Sequence, residues 1–174
     1  MFEKRIFQNR IMIEETKEED LDQVIAIEGK EENRPFVYQW SKEDHRRTMA
    51  SVDEMHLVIR NLEGKMIGYM ILAGRTSPHL SFELMRITVD EKGKGYGKLG
   101  VQWVMEYCFE ELNYHRLWLD VFTENTGAIA LYDKLGFYEE GILRDCKKYG
   151  DRYRSMKLYS MLEEEYRECR EKWN

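Results

Sequence analysis

The chain has 174 residues, of which 43% are hydrophobic and 34% charged, with a formal net charge of −6. That length suits one domain with a substantial core, and the acidic balance argues against nucleic acid as a partner. Cys108, Cys146 and Cys169 are dispersed and odd in number, and no Cys/His cluster is spaced for a metal, so neither a disulfide framework nor a metal site is expected.

No segment approaches the roughly 18 apolar residues of a membrane span, and the N-terminus leads into no signal-like apolar run. The expected setting is cytoplasmic, with no membrane partner.

Arg10-Ile11-Met12-Ile13-Glu14 reads as the first strand. Thr16 with Glu19 has the spacing of a capping box. The helix it opens carries Leu21, Val24, Ile25 and Ile27 on one face and stops near Gly29. A polar connector follows, broken by Pro35 and rich in aromatics (Phe36, Tyr38, Trp40). Ser41, with Asp44 three residues on, caps a second helix from Lys42 to about Ala50. Met55–Arg60 and Met66–Ala73 form a hairpin around Gly64. The fourth strand runs from about Leu80 to Val89. Simple alternation puts Ser81, Glu83 and Met85 on one face and Phe82, Leu84 and Arg86 on the other. Glu83 and Arg86 are charges in a central strand, which costs free energy unless they are paired or functional.

Gly93, Gly95 and Gly97 follow, then an apolar helix from Leu99 to Leu112. His115–Phe122 is the fifth strand. Asn125 precedes a helix over Thr126–Leu135, which Gly136 ends. Phe137–Arg144 and Arg152–Met161 are the sixth and seventh strands, turning at Tyr149-Gly150-Asp151. A charged helix, Leu162–Trp173, closes the chain, with Glu163/Arg167 and Glu168/Lys172 at i,i+4. The expectation is one α+β domain over 1–174 whose sheet has seven strands, mixed and mostly antiparallel.

Strand, glycine turn and apolar helix together make an anion cradle. Glycines let backbone N–H groups approach closely, and the helix start adds partial positive charge. Alone, the glycines leave a ligand turn and a plain tight turn both open. The spacing fits neither a Walker sequence nor a dinucleotide fingerprint.

Two further features favour a ligand turn. One is Arg116-Leu117-Trp118-Leu119-Asp120-Val121 followed by Asn125-x-x-Ala128-x-x-Leu131-Tyr132-x-x-Leu135-Gly136-Phe137. The other is the order strand, glycine turn, helix, strand, Asn, helix, Tyr, Gly-Phe, strand. With these the chain resembles the GNAT superfamily of acyl-CoA-dependent N-acyltransferases. Glu140-Gly141-x-Leu143-Arg144 and Tyr159-Ser160-Met161-Leu162 resemble its branch of ribosomal-protein N-terminal and spermidine acetyltransferases. The turn departs from the family in being about two residues shorter before the first glycine. Lys92 stands nearest the position of the usual Arg or Gln.

The resemblance implies the GNAT fold, a sheet splayed between the fourth and fifth strands and flanked by helices. It implies acetyl-CoA as cosubstrate. The pantetheine arm would pair with Ile87, Thr88 and Val89, and the backbone N–H groups of Ile87 and Val89 would serve the oxyanion. The pyrophosphate would sit on Lys92, Gly93, Lys94, Gly95, Tyr96, Gly97 and Lys98. Asn125 would hydrogen-bond the pantetheine and Ala128 would line the cosubstrate. Tyr132 is the expected general acid toward the leaving thiolate. Glu83 is the candidate base, directly or through water, with an ion pair to Arg86 as its competing role. The four histidines are weaker candidates.

By the same resemblance the acceptor, a small-molecule or peptide amine, would meet Glu31, Glu32, Arg34 and Trp40, although a solvated rim with an aromatic plug reads equally well there. A homodimer through the aromatic surface of the last two strands is compatible with the sequence. Two other readings remain open, an acyl-CoA-binding sensor without catalysis and a mononucleotide-binding regulator.

Overall fold

The computed structural model describes residues 2–171. Among them are eight strands, β1 (Arg5–Phe7), β2 (Ile11–Glu15), β3 (Met55–Asn61), β4 (Met66–Ala73), β5 (Ser81–Val89), β6 (Arg116–Phe122), β7 (Tyr138–Tyr149) and β8 (Arg152–Leu162). The helices are α1 (Leu21–Glu28), α2 (Lys42–Met49), α3 (Tyr96–Glu106), α4 (Thr126–Leu135) and α5 (Glu163–Arg170). The sheet order is β1-β2-β3-β4-β5-β6-β8-β7. The pairs β1–β2, β2–β3, β3–β4, β6–β8 and β7–β8 are antiparallel, and β5–β6 is parallel. The expected seven strands are therefore eight.

The additional strand is β1, which pairs Arg5 with Ile13 and Phe7 with Ile11. The chain reverses through Gln8 and Asn9, both with positive φ (47° and 50°). A glutamine in that region is uncommon, and no glycine marks the turn, so turn rules do not flag it.

The chain divides into two compact units. One comprises the residues up to Ser77 together with Leu84–Val104; the other comprises Pro78–Glu83 together with the residues from Met105 onward. In the first unit, Val24 and Ile27 of α1 pack on Val58, Met66, Tyr69 and Ile71, with Trp40 and Met85 against the same cluster. The capping of α2 is as expected: Ser41 Oγ accepts from Asp44 N–H and Asp44 Oδ2 accepts from Ser41 N–H. The Thr16 capping box is not. A short 3-10 turn, Glu18–Asp20, precedes α1, and Asp20 Oδ2 accepts from Lys17 N–H. The Thr16 hydroxyl goes instead to the buried ring of His56, at 2.7 Å from Nδ1.

In the second unit, Phe82 meets Tyr107 and Tyr114, and Leu117, Leu119, Tyr132, Leu135, Phe137, Tyr159 and Met161 are buried. The polypeptide continues from α3 into a π turn, Tyr107–Glu111, closed by Leu112 N–H to the Tyr107 carbonyl. The β7 strand runs to Tyr149, beyond the expected Arg144, and is exposed along nearly its whole length. Its register slips between Leu143 and Lys147, which is why alternation fades there. The terminal helix shows the Glu163/Arg167 pair at 3.2 Å. The expected Glu168/Lys172 pair and the helix end at Trp173 lie outside the described residues.

Candidate functional site

The glycine turn lies in the first unit. Asp90 N–H bonds to the Ile67 carbonyl at the end of β5, and the chain then turns through Gly93 (φ 77°) and Gly95 (φ 79°). An added Cβ at either would meet nothing within 4 Å. Their glycine identity is a matter of backbone conformation, not of space. The first helical bond of α3 runs from Leu99 N–H to the Gly95 carbonyl. The N–H groups of Tyr96, Gly97 and Lys98 therefore precede the helical ladder and point out of its start. Lys92, Lys94 and Lys98 are exposed around them. Lys65 and Lys94 both bind Glu91, and these two contacts hold its carboxyl at about 2. The donor set, N–H groups at a helix start ringed by lysines, fits a polyphosphate group.

Two glycines fix the strand that leads into this turn. Gly100 lets α3 close on β5: a Cβ there would stand 2.9 Å from Ile87 Cδ1. Gly68 does the same for β4 beside Thr88 and Val89. Side-chain alternation along β5 slips at its middle. Met85 packs on the α1 cluster, and its neighbour Arg86 also reaches α1. Two consecutive residues on one side mark a bulge, so Arg86 leaves the face expected from strict alternation.

Arg86 enters a buried polar network. Its Nη1 donates to Glu28 Oε1 (2.6 Å) and to the Tyr38 carbonyl (2.7 Å), and its guanidinium lies 4.0 Å from the centre of the Trp40 ring. Glu28 is 0% exposed. It also accepts from the Tyr69 hydroxyl and, through Oε2, from Trp40 N–H at 3.0 Å. Burial pushes the Glu28 carboxyl up. His45, Tyr69, the Trp40 N–H and the Arg86 charge outweigh it and leave the group below the ordinary carboxylate range. His45 Nε2, fully buried, faces Glu28 Oε1 at 3.5 Å without hydrogen-bond alignment. His45 Nδ1 is 2.9 Å from His56 Nε2. With the His45 proton on the Glu28 side, His56 donates to His45 and Thr16 donates to His56. Burial above all holds His56 at about 3, so its ring is neutral.

The connector between α1 and α2 is a series of turns tied down at several points. Asn33 Nδ2 donates to the Ile27 carbonyl (2.8 Å) and Gln39 Nε2 to the Glu28 carbonyl (2.7 Å). Lys30 pairs with Asp90. Of the expected acceptor residues, Glu31, Glu32 and Arg34 are exposed, and Trp40 is half-buried with its ring against Arg86. The charge of Glu32 acts on Lys92, whose ammonium is pulled down by desolvation and lifted in part by Glu32 and Asp90.

The remaining candidates lie in the second unit. Asn125 caps α4, its Oδ1 accepting from Ala128 N–H at 3.3 Å. Tyr132 is 5% exposed, with Phe137 and Tyr159 at ring distances of 5.7 Å and 6.0 Å. Burial, and then the Asp120 charge, pushes its phenol well above the ordinary tyrosine range. Asp120, half-buried on β6, is itself raised by burial. Glu83 stands at the last β5–β6 pair, opposite Trp118. Of the weaker histidine candidates, His45 and His56 belong to the buried network and His115 faces Glu163 at 3.3 Å.

The acetyltransferase (GNAT) family model matches residues 25–137, a span of the sequence that includes the glycine turn, Asn125 and Tyr132. The chain belongs to the acetyltransferase (GNAT) family. Within that family, a spermidine N(1)-acetyltransferase of Vibrio cholerae is 32% identical over 114 residues, 65% of this chain and 66% of that protein. An uncharacterized N-acetyltransferase, p20, of Bacillus licheniformis is 39% identical over 74 residues, 42% of each. These matches span just under two thirds of the first relative's length and less than half of the second's. Among solved structures, the spermidine N-acetyltransferase of V. cholerae in complex with CoA and spermine superposes with a TM-score of 0.80 at 23% identity, covering 90% of this chain and 97% of that one. That likeness shows the fold.

The sequence reading missed the Glu28 network. A signal was present: Glu28 lies four residues after Val24, on the same helical face as Leu21 and Ile27. A carboxylate on an apolar face calls for a buried partner.

Proposed function

We propose that the protein transfers the acetyl group of acetyl-CoA to a primary amine, acting as a single acyltransferase domain over 1–174. The observation that carries this reading is the turn at Gly93 and Gly95, which delivers the N–H groups of Tyr96, Gly97 and Lys98 at the end of β5. Acetyl-CoA carries a pyrophosphate for that cradle and an amide-rich arm for the backbone of Ile87, Thr88 and Val89. Asn125 and Ala128 line the arm, and Lys92, Lys94 and Lys98 add charge.

The chemistry is direct attack in a ternary complex. The amine nitrogen bonds to the thioester carbon, the C–S bond breaks, and the acetyl group passes from sulfur to nitrogen. The nitrogen gives up a proton to Glu83, directly or through water. The departing sulfur receives one from the Tyr132 phenol. Tyr132 suits this role because its raised pKa keeps it protonated. Among the described residues its hydroxyl has no hydrogen-bond partner, so it is free to donate.

The acceptor is a small amine, and a polyamine fits best. The spermidine acetyltransferase relative supports this, as do the exposed carboxylates of Glu31 and Glu32 and the net charge of −6. Three dispersed cysteines, too few and too scattered for a disulfide framework, suit a cytoplasmic setting. The exposed Tyr138, Ile142, Leu143, Tyr149 and Tyr153 of β7 and β8 are the surface through which a homodimer would form.

The test is acetyl-CoA with a panel of polyamines, small amines and peptides, read by mass shift of the acceptor and release of free thiol. Acetylation of at least one amine above the hydrolytic background is expected. Acetyl-CoA binding without transfer to any member would favour the sensor reading, and preference for ATP over CoA the nucleotide reading.

A further inference from the structure

We propose that Glu28 and Arg86 are positioning residues that strap the α1–α2 connector along β5, so that its exposed side chains Glu31, Glu32 and Arg34 form the rim met by the amine. The role of that rim rests on the acetyltransferase reading above; the strap itself does not.

The connector is fastened to β5 at two points. At one, Arg86 holds the Tyr38 carbonyl and lies on the Trp40 ring, while Glu28 holds Arg86 and the Trp40 N–H together. At the other, Lys30 pairs with Asp90. Arg86 and Asp90 bracket Ile87–Val89, the backbone assigned to the acyl arm. The connector is thus anchored at both ends of that stretch, with residues 31–36 between the two anchors. There Glu31, Glu32 and Arg34 are exposed.

The geometry requires a guanidinium. One group bonds a carboxylate, bonds a carbonyl and stacks on an indole at once, which planar Arg does and the compact ammonium of Lys does not. The requirement for a carboxylate is equally specific. Glu28 takes Arg86, Tyr69 and the Trp40 N–H with its two oxygens. Neither residue reaches the reacting atoms in this scheme. They act through the connector.

The experiment compares the full chain with Arg86→Lys, Arg86→Gln and Glu28→Gln. Amide hydrogen exchange reads the connector, and steady-state kinetics with acetyl-CoA and spermidine as the probe acceptor reads its consequence. In Arg86→Lys, amides of residues 30–40 are expected to exchange at least tenfold faster, with β3 and β4 unchanged. The spermidine KM is expected to rise at least tenfold, with kcat within threefold and acetyl-CoA affinity within twofold of the parent. Arg86→Gln and Glu28→Gln should go further in the same direction. Arg86→Lys retains the positive charge, so it reports even where the neutral variants fail to fold.

Unchanged exchange in the connector overturns the strap. Faster connector exchange with an unmoved spermidine KM overturns the acceptor role, as do equal losses in KM, kcat and acetyl-CoA affinity. If the parent protein acetylates no amine, the acetyltransferase reading fails by that result alone, and the exchange data still decide the strap.

Discussion

A Cβ on Gly68 would stand 2.6 Å from the carbonyl oxygen of Thr88 and 3.1 Å from the Val89 Cα. Both neighbours are backbone, so neither yields by changing rotamer. Gly68→Ala must therefore displace the end of β5, the stretch assigned to the acyl arm. Overpacking of this kind typically costs about 1–3 kcal/mol. The expected outcome is a folded protein with a lower melting temperature and at least tenfold weaker acetyl-CoA binding, measured by thermal unfolding and calorimetric titration. Unaltered affinity would detach β5 from the acyl-CoA site.

The turn glycines act for a different reason and give a different pattern. Space around Gly93 and Gly95 is open, and only their positive φ excludes other residues. Gly95→Ala places a Cβ in the left-handed region at a cost of about 1–2 kcal/mol. The turn can escape that strain by changing conformation, which would spoil the N–H array. Asn tolerates this region far better. Gly95→Asn should therefore keep acetyl-CoA affinity within about threefold, while Gly95→Ala loses roughly tenfold, the equivalent of ~1.4 kcal/mol. Equal losses in both would mean that the site excludes any side chain, whatever its backbone preference.

Legibility in the sequence followed the range of the interaction. Local signals were readable: the Ser41–Asp44 box, the α4 span ended by Gly136, and the β3–β4 hairpin. So was the path from β5 through α3 to β6. What failed depended on partners distant in the chain. Thr16 reads as a cap until His56, 40 positions on, claims its hydroxyl. Arg86 reads as alternating with its neighbours until Glu28, 58 positions away, draws it across a bulge. The β1 strand failed for a local reason, since Gln8 and Asn9 adopt a conformation that their types seldom signal. Of the residues proposed for the site, those on a turn or a cap carry local signals, whereas Arg86 showed only that it needed a partner, and that partner, Glu28, went unread.

His56 gives a prediction about stability and pH. Its folded pKa is about 3, against an ordinary value near 6.5 in the unfolded chain. Between those values the unfolded state binds a proton that the native state refuses. Acidification through this window therefore destabilises the fold, by up to about 1.4 kcal/mol per pH unit for this one group. Above pH ~6.5 the contribution vanishes, because both states are neutral. From pH 6.5 to 5 most carboxylates have yet to titrate, so the slope of unfolding free energy there belongs mainly to histidine. His56→Asn is expected to flatten it, although the variant loses stability at pH 8 with the imidazole contacts. Denaturant titrations at several pH values measure the slope, and imidazole NMR signals read the ring directly. A His56 ring protonated in the native state at pH 5 would refute the account.

Tyr132 carries the sharpest prediction about chemistry. Replacing it with Phe removes the proton donor and little volume. If it protonates the leaving thiolate, kcat should fall by roughly 100- to 10,000-fold, with acetyl-CoA affinity within about threefold of the parent. Its pH dependence has a definite sign. A general acid works while protonated, and activity is lost as pH rises through its pKa. Burial and the nearby Asp120 charge raise that pKa above the ordinary tyrosine range. The parent protein should therefore show no alkaline loss of kcat up to about pH 10, the ordinary tyrosine value. An alkaline limb near pH 8 that survives in Tyr132→Phe would belong to another group. The same limb abolished by the substitution would mean that substrate binding lowers the phenol pKa. Asp120→Asn separates these cases, because removing the negative charge lowers the Tyr132 pKa and moves only a limb that Tyr132 owns.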